Sequence, residues 1–248
     1  MSLAALVSDK VIVVTGASRG LGAGIADAFA GAGARLGLCA RSSGPLASGE
    51  RVVTAKLDIA DEAAVQDFAA AVERRFGAID LWINNAGVLG PIAPLRAVDG
   101  PALRRHLETN IVGVWAGSRA FIHHRDRFGS GGVLVNISSG AGRKPYFGWS
   151  AYCAGKAAVD RMTECIAVEE AVRGLRAHAV APGIIDTAMQ EEIRGTPADR
   201  FPDVDRFLAI KAENSFSTPP WIAARLAELA FDPAHATKDV LVSLPPER

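Results

Sequence analysis

Val11-Ile12-Val13-Val14-Thr15-Gly16-Ala17-Ser18-Arg19-Gly20-Leu21-Gly22 is the stretch on which the reading of this chain turns. Its first four residues are all β-branched and show no polar alternation, which fits a strand buried on both faces of a parallel sheet. The run stops at Gly16. Residues 20–32 then read as a helix ended by Gly31 and Gly33. A buried strand, a glycine turn and a helix N-terminus in that order make a cradle for a pyrophosphate. Glycines let the backbone turn sharply and come close to the ligand, and the free N–H groups of the first helical turn favour an anion. The spacing is TGxxxGxG, not GxGxxG. In a chain with 25 glycines the pattern takes its meaning from its place between strand and helix. Gly16, Ser18, Arg19, Gly20, Leu21 and Gly22 are the candidate phosphate-side residues.

The same rhythm continues outward. Strands are expected at 35–40, 52–57, 81–83, 133–137, 176–180 and 240–243. Helices are expected at 61–76, with Asp61 as N-cap, and at 101–128, 150–172 and 219–230. Strands joined through helices of ten or more residues pair in parallel by right-handed crossovers. The expected architecture is therefore α/β: a single-domain, doubly wound parallel sheet of Rossmann type over 1–248, with helices on both faces. Residues 186–217 break the rhythm with mixed charge, Pro197 and Pro202. They would leave the carboxyl edge of the sheet, where ligands bind, and read as a substrate lid. His123 and His124, next to Arg125, read as a solvated helix end.

Composition narrows the function classes. Of 248 residues, 27 are Lys or Arg and 27 Asp or Glu, so net charge calls for neither nucleic acid nor an anionic membrane as partner. The first ten residues lack the pattern of a signal peptide, and no run of some 18 apolar residues exists. A cytoplasmic protein is expected. Cys39, Cys153 and Cys165 form no CxxC pair and read as free thiols in a reducing compartment. The five histidines show no ligand spacing, so no metal site is expected.

Charge also bears on the nucleotide. In dinucleotide sites an acid at the end of the second strand holds a ribose 2′-OH, whereas an Arg accommodates a 2′-phosphate. Here that strand ends Cys39-Ala40-Arg41-Ser42, with no acid between Gly33 and Gly49. Arg19 and Arg41 can each grip a phosphate through charge-assisted bonds worth roughly 1.5–3 kcal/mol. NADP(H) is the expected cofactor. Further along, Tyr152 and Lys156 stand four apart on a predicted helix and share a face. A nearby ammonium stabilises a phenolate, so Lys156 is expected to bring the Tyr152 pKa down toward the working range. A Tyr and a Lys so spaced also occur on ordinary helix faces. The rest of the set gives the pair its meaning. Ser139 ends the fifth strand, where its hydroxyl can donate to a carbonyl. Asn84-Asn85-Ala86-Gly87 closes the fourth strand on the same edge. Asn110, alone, reads as a helix-packing amide.

TGxxxGxG, NNAG, Asn110, Ser139, Tyr152-Cys153-Ala154-Gly155-Lys156 and Pro182-Gly183-Ile184-Ile185-Asp186-Thr187 resemble the short-chain dehydrogenase/reductase family, in order and over nearly the whole chain. The resemblance implies Tyr152 as acid, Ser139 as carbonyl orienter, Lys156 as tuner and ribose ligand, and Asn110 as part of a water-linked proton path. It also implies Asp58 and Ile59 beside the adenine and Asn85, Ala86 and Gly87 along the cofactor. Ile185 and Thr187 would lie near the carboxamide, and Pro182 and Gly183 would also border the cofactor. A narrower likeness, carried by Gly148-Trp149 and Asp186-Thr187-Ala188-Met189-Gln190 among others, is to sepiapterin reductases and bacterial benzil reductases. Both groups reduce one carbonyl of a vicinal dicarbonyl with NADPH. Pro245 stands where sepiapterin reductases carry an acid for the pterin, which favours the diketone. Ser139, Trp149, Gly183 and Met189 are the candidate substrate contacts, with Tyr146, Phe147, Trp115, Phe201 and Phe207 as possible aromatic lining. An alcohol or steroid dehydrogenase and a non-catalytic nucleotide-binding protein are the competing readings. The intact Ser–Tyr–Lys set opposes the second. A homodimer or homotetramer is implied by the family likeness.

Overall fold

The structure is a computed structural model that describes residues 1–129 and 131–247. A seven-stranded parallel sheet of order β3-β2-β1-β4-β5-β6-β7 forms its centre. The strands are β1 (Val11–Thr15), β2 (Arg35–Ala40), β3 (Val52–Lys56), β4 (Leu81–Asn84), β5 (Val133–Ile137), β6 (Arg176–Ala181) and β7 (Leu241–Ser243). β1 and β5 are buried along their whole length, in keeping with the apolar runs at 11–14 and 133–135. Register follows the pattern: Val13 lies between Gly37 of β2 and Trp82 of β4.

Helices cover both faces. α1 (Leu3–Val7), α2 (Gly20–Gly31) and α9 (Pro219–Phe231) close one face, where Ile25, Phe29 and Leu226 pack on Ile12 and Val14. α3 (Glu62–Phe76), α5 (Gly113–Phe128) and α6 (Ser150–Glu169) close the other, with Phe68, Phe121 and Ile166 around Trp82. Asp61 caps α3 as expected, its carboxylate accepting from Ala64 N at 3.1 Å. Among the described residues no helix is long and apolar enough to cross a membrane. Burial pushes the Cys39 thiol up to about 12.

Two expectations need correction. The helix expected at 101–128 is built as α4 (Gly100–Leu107), a π-turn (Glu108–Val112) and α5. The wide turn falls on Asn110, whose amide is bound to the Val88 backbone. His124 is not solvated but 0% exposed, its Nε2 accepting from Ile79 N at 2.8 Å and its Nδ1 facing Glu73. His123 is half-buried. Segment 186–217 holds α7 (Ala188–Arg194) and α8 (Val204–Ala212). Asp186 ties the segment together by pairing with Arg194 and Lys211, and Ser217 N donates to Ile184 O at 3.0 Å across its base.

Sheet order reverses between β1 and β4, which opens a crevice at the carboxyl edge. Segment 186–217 leaves β6 on that edge and closes a third apolar cluster, in which Phe201, Phe207 and Ile193 surround Trp149.

Candidate active site

One cleft of about 1140 Å³ runs along this edge. At its β1 end the turn is shaped by close approach. Gly16 adopts φ +68°, and a Cβ there would stand 2.7 Å from Ala86 Cα. A Cβ on Gly22 would meet Gly16 O at 2.5 Å. Thr15 Oγ1 accepts from Asn85 N and Ala86 N (3.0 and 3.1 Å), while Asn85 Nδ2 donates to Thr15 O at 2.9 Å. The glycine turn and the Asn85–Gly87 segment are thus one unit. Gly20 opens α2 and presents its free N–H groups to the cleft. Arg19 and Arg41, both exposed, stand on the same wall, with Asp58 and Ile59 beyond. A side-chain-free cradle, a helix N-terminus and guanidinium groups fit a dinucleotide.

The expected chemistry residues meet at the centre. Ser139 follows β5, and its hydroxyl faces the Tyr152 phenol closely enough to favour the phenolate. Tyr152 and Lys156 lie on the buried face of α6, with Lys156 Nζ 5.7 Å from the Tyr152 ring centroid. Lys156 Nζ donates to Ile137 O at 2.8 Å. Here the expected electrostatics are reversed. Burial pushes the phenol up to about 12, only partly offset by the nearby Ser139 hydroxyl, and burial also lowers the Lys156 ammonium to about 8. Desolvation disfavours the charged form of each group and is the largest cause of both shifts. The phenol is therefore held protonated at neutral pH. A partner the sequence reading missed is Asp160, four residues beyond Lys156 and 5% exposed. Its carboxylate accepts from Ser138 Oγ, faces Arg143 Nε at 3.4 Å, and opposes the fall of the Lys156 pKa. The repeated spacing 152, 156, 160 was the available signal.

Apart from the aromatic candidates, every residue expected to serve catalysis, cofactor or substrate lines this cleft except Asn110. Asn110 is 1% exposed and sits behind Gly87. A Cβ on Gly87 would lie 3.0 Å from Asn110 Oδ1 and 3.8 Å from Lys156 Nζ, so the missing side chain leaves the two groups facing one gap. Of the aromatic candidates, Tyr146, Trp149 and Phe207 line the cleft with Met189. Phe201 stacks behind Trp149 at 4.7 Å and 9°. Phe147 is exposed and off the cleft, and Trp115, 41% exposed on α5, packs beneath Arg119. Pro182, Gly183, Ile185 and Thr187 line the β6 exit as expected.

A parallel sheet with a glycine cradle at its switch point and a Ser–Tyr–Lys set across the cleft defines a nucleotide-dependent oxidoreductase. Comparison with known proteins agrees: the family model for short chain dehydrogenase matches residues 10–198. The chain belongs to the short-chain dehydrogenase/reductase family, whose members use NAD(P)(H) and act on CH–OH or C=O groups. It is 36% identical over 149 residues to the benzil reductase ((S)-benzoin forming) of Bacillus cereus, a match covering 59% of this chain and 60% of that one. It is 36% identical over 238 residues to the cis-4-hydroxycyclohexanecarboxylate dehydrogenase of Sinomonas cyclohexanicum, covering 92% and 91%. Among solved structures, levodione reductase superposes with a TM-score of 0.82 at 30% identity, covering 96% of each chain.

Proposed function

We propose that this protein is an NADPH-dependent reductase of vicinal dicarbonyls, a cytoplasmic enzyme with a small-molecule substrate. The observation that carries this reading is the Tyr152 phenol, kept protonated by burial and facing the Ser139 hydroxyl inside the cleft that also holds the glycine turn and Arg41. When bound, the nicotinamide supplies the hydride. Ser139 donates to the substrate carbonyl and holds it for attack. Tyr152 gives its phenolic proton to that oxygen as negative charge develops there. Lys156, a cation up to about pH 8, stabilises the resulting phenolate. A water-linked path past Lys156 and Asn110, which face each other across the Gly87 gap, would return a proton from solvent to Tyr152. Trp149, Tyr146, Met189 and Phe207 form the apolar wall for a flat substituent, and segment 186–217 acts as the lid over it.

Arg41 supports NADPH over NADH, because a guanidinium at the end of β2 matches a 2′-phosphate. The likeness to benzil reductase supports the diketone. The match to an alcohol dehydrogenase over more of the chain supports the second reading, oxidation of a secondary alcohol on the same residues. The family likeness supports a homodimer or homotetramer, with α4–α5 and α6 as the contact faces.

NADPH consumption with 1-phenyl-1,2-propanedione tests the reading. Turnover is expected in the wild type and a loss of at least about a hundredfold in Tyr152→Phe. A Tyr152→Phe variant as fast as wild type removes the assigned acid. In Arg41→Ala the KM for NADPH is expected to rise about tenfold or more while that for NADH barely moves. Equal change for both cofactors refutes the 2′-phosphate assignment.

A further inference from the structure

Four rings line the substrate end of the cleft as a connected set. Trp149 is the central one, edge-on to Tyr152 with 5.6 Å between ring centroids. Tyr146 and Phe207 lie 4.9 and 5.7 Å from it. Each of these outer rings carries a cation: Lys144 Nζ stands 5.2 Å from the Tyr146 centroid, and Arg206 Cζ 5.7 Å from that of Phe207. Attraction to a ring face holds a cation in place and leaves its charge uncompensated. Both side chains line the cleft. Among the described residues neither makes an ion pair, whereas Arg194 and Lys211 of segment 186–217 both pair with Asp186. Glu191 and Glu192 of α7 also line the cleft, but Glu192 stands by Gly90 and Arg19, on the side of the glycine turn. The wall one ring beyond the reacting phenol thus holds two cations and lacks an anion.

We propose that the substrate of this cleft carries a carboxylate at the end remote from the reacting carbonyl, and that Lys144 and Arg206 are the specificity-determining residues that receive it. The inference rests on the reading of the cleft as a carbonyl-reductase site and narrows its dicarbonyl substrate to an anionic one. The apolar part of such a molecule covers Trp149, its carbonyl reaches Ser139 and Tyr152, and its carboxylate oxygens accept charge-assisted bonds from the ammonium and the guanidinium. The two cations come from different parts of the fold. Lys144 follows β5, and Arg206 belongs to α8 of segment 186–217. A carboxylate between them therefore ties that segment to the body of the protein. It also fixes which of two neighbouring carbonyls faces Tyr152, because the opposite orientation would leave the anion away from both cations. Both residues are exposed, so each contact is screened by salt and modest in strength.

The test compares 1-phenyl-1,2-propanedione with its derivative bearing a carboxylate para on the ring. Dissociation constants for both are measured by calorimetry on the NADP+ complex, in which neither ketone can be reduced. The readout is the ratio of the two constants, since general damage to the cleft weakens both ligands alike. Wild type is expected to bind the carboxylate about tenfold more tightly at low salt, with the ratio shrinking toward one at about 1 M salt. Lys144→Gln and Arg206→Gln are each expected to cut the ratio about threefold, and together to bring it close to one. A wild-type ratio of one, or a ratio undiminished in the folded double variant, overturns the assignment. If the double variant does not fold, the two single variants decide. NADPH consumption with the same two ketones is measured alongside. If neither is reduced the reductase reading falls, while the binding ratio still judges the two cations. If the neutral diketone is reduced and the ratio is one, only the anion site falls.

Discussion

Tyr152 and Lys156 are each moved by burial in the direction that removes their charge, one up to about 12 and the other down to about 8. For a reductase this is workable, since the phenol must arrive protonated and the cation is needed only while phenolate exists. Asp160 is then the group that keeps Lys156 charged. Replacing it as Asp160→Asn removes an anion that raises the Lys156 pKa, so the ammonium deprotonates at lower pH. The alkaline fall in kcat is expected to begin at lower pH than in wild type, and an unmoved alkaline limb in a folded variant contradicts it. Spacing revealed the Tyr–Lys pair because four residues is one helical turn. It could not reveal which effect dominates their ionisation, because that depends on how much protein covers them.

Elements place these groups. The glycine turn between β1 and α2 is locked to the Asn85–Gly87 segment by Thr15, and Gly22 has no space for a side chain. Gly22→Ala is expected to raise the Kd for NADPH at least about tenfold and to lower the melting temperature, because its methyl would press on the Gly16 carbonyl. A fluorescence titration giving wild-type affinity would show that the turn yields. The π-turn at Glu108–Val112 spends one extra residue to aim Asn110 at Val88. Periodicity predicted one helix there, because a single wide turn leaves the apolar pattern on either side nearly intact. Segment 186–217 depends on its own small cluster. Phe201, fully buried against Trp149, is its anchor. Phe201→Ala is expected to cost about 3–5 kcal/mol of packing in that cluster. Amides of α7 and α8 should exchange faster while those of β1, β4 and β5 keep their protection. Uniform loss of protection would mean that the segment is part of the global core.

Across the whole molecule, three buried histidines, His106, His124 and His178, all have lowered pKa values, chiefly through burial. The unfolded chain takes up protons at these positions more readily than the folded one. Their contribution to stability is therefore full above about pH 6.5 and is lost as pH falls from there through the folded-state values. The melting temperature is expected to drop below that pH, and to drop less in His124→Gln, whose amide can still accept from Ile79 N. Identical pH dependence in the two proteins would show that His124 does not contribute. The core itself is tied across the sheet by a connected set of polar side chains. Asn84 Nδ2 donates to Asn136 Oδ1 at 2.8 Å, Trp82 Nε1 donates to Asn84 Oδ1 at 2.8 Å, and Asn136 Nδ2 donates to Thr163 at 2.9 Å. Such a network joins β4, β5 and α6 and so fixes the two strand ends that carry the cleft.

The β-branched run at 11–14, the glycines after it, the helix cap at Asp61 and the one-turn spacing of Tyr152 and Lys156 were readable from the chain alone. Each is a local regularity, set by φ/ψ preference or side-chain period within a few residues. Tertiary structure decided the rest: that His106 meets Asn110 and Gly90, that Asp160 meets Ser138, that His124 is buried under Ile79 and Glu73, and that Trp115 turns away from the cleft. Most of those contacts join positions distant in sequence. Even the nearest, His106 with Asn110, acquires its meaning from burial, and burial is a property of the packed molecule and not of any segment of it.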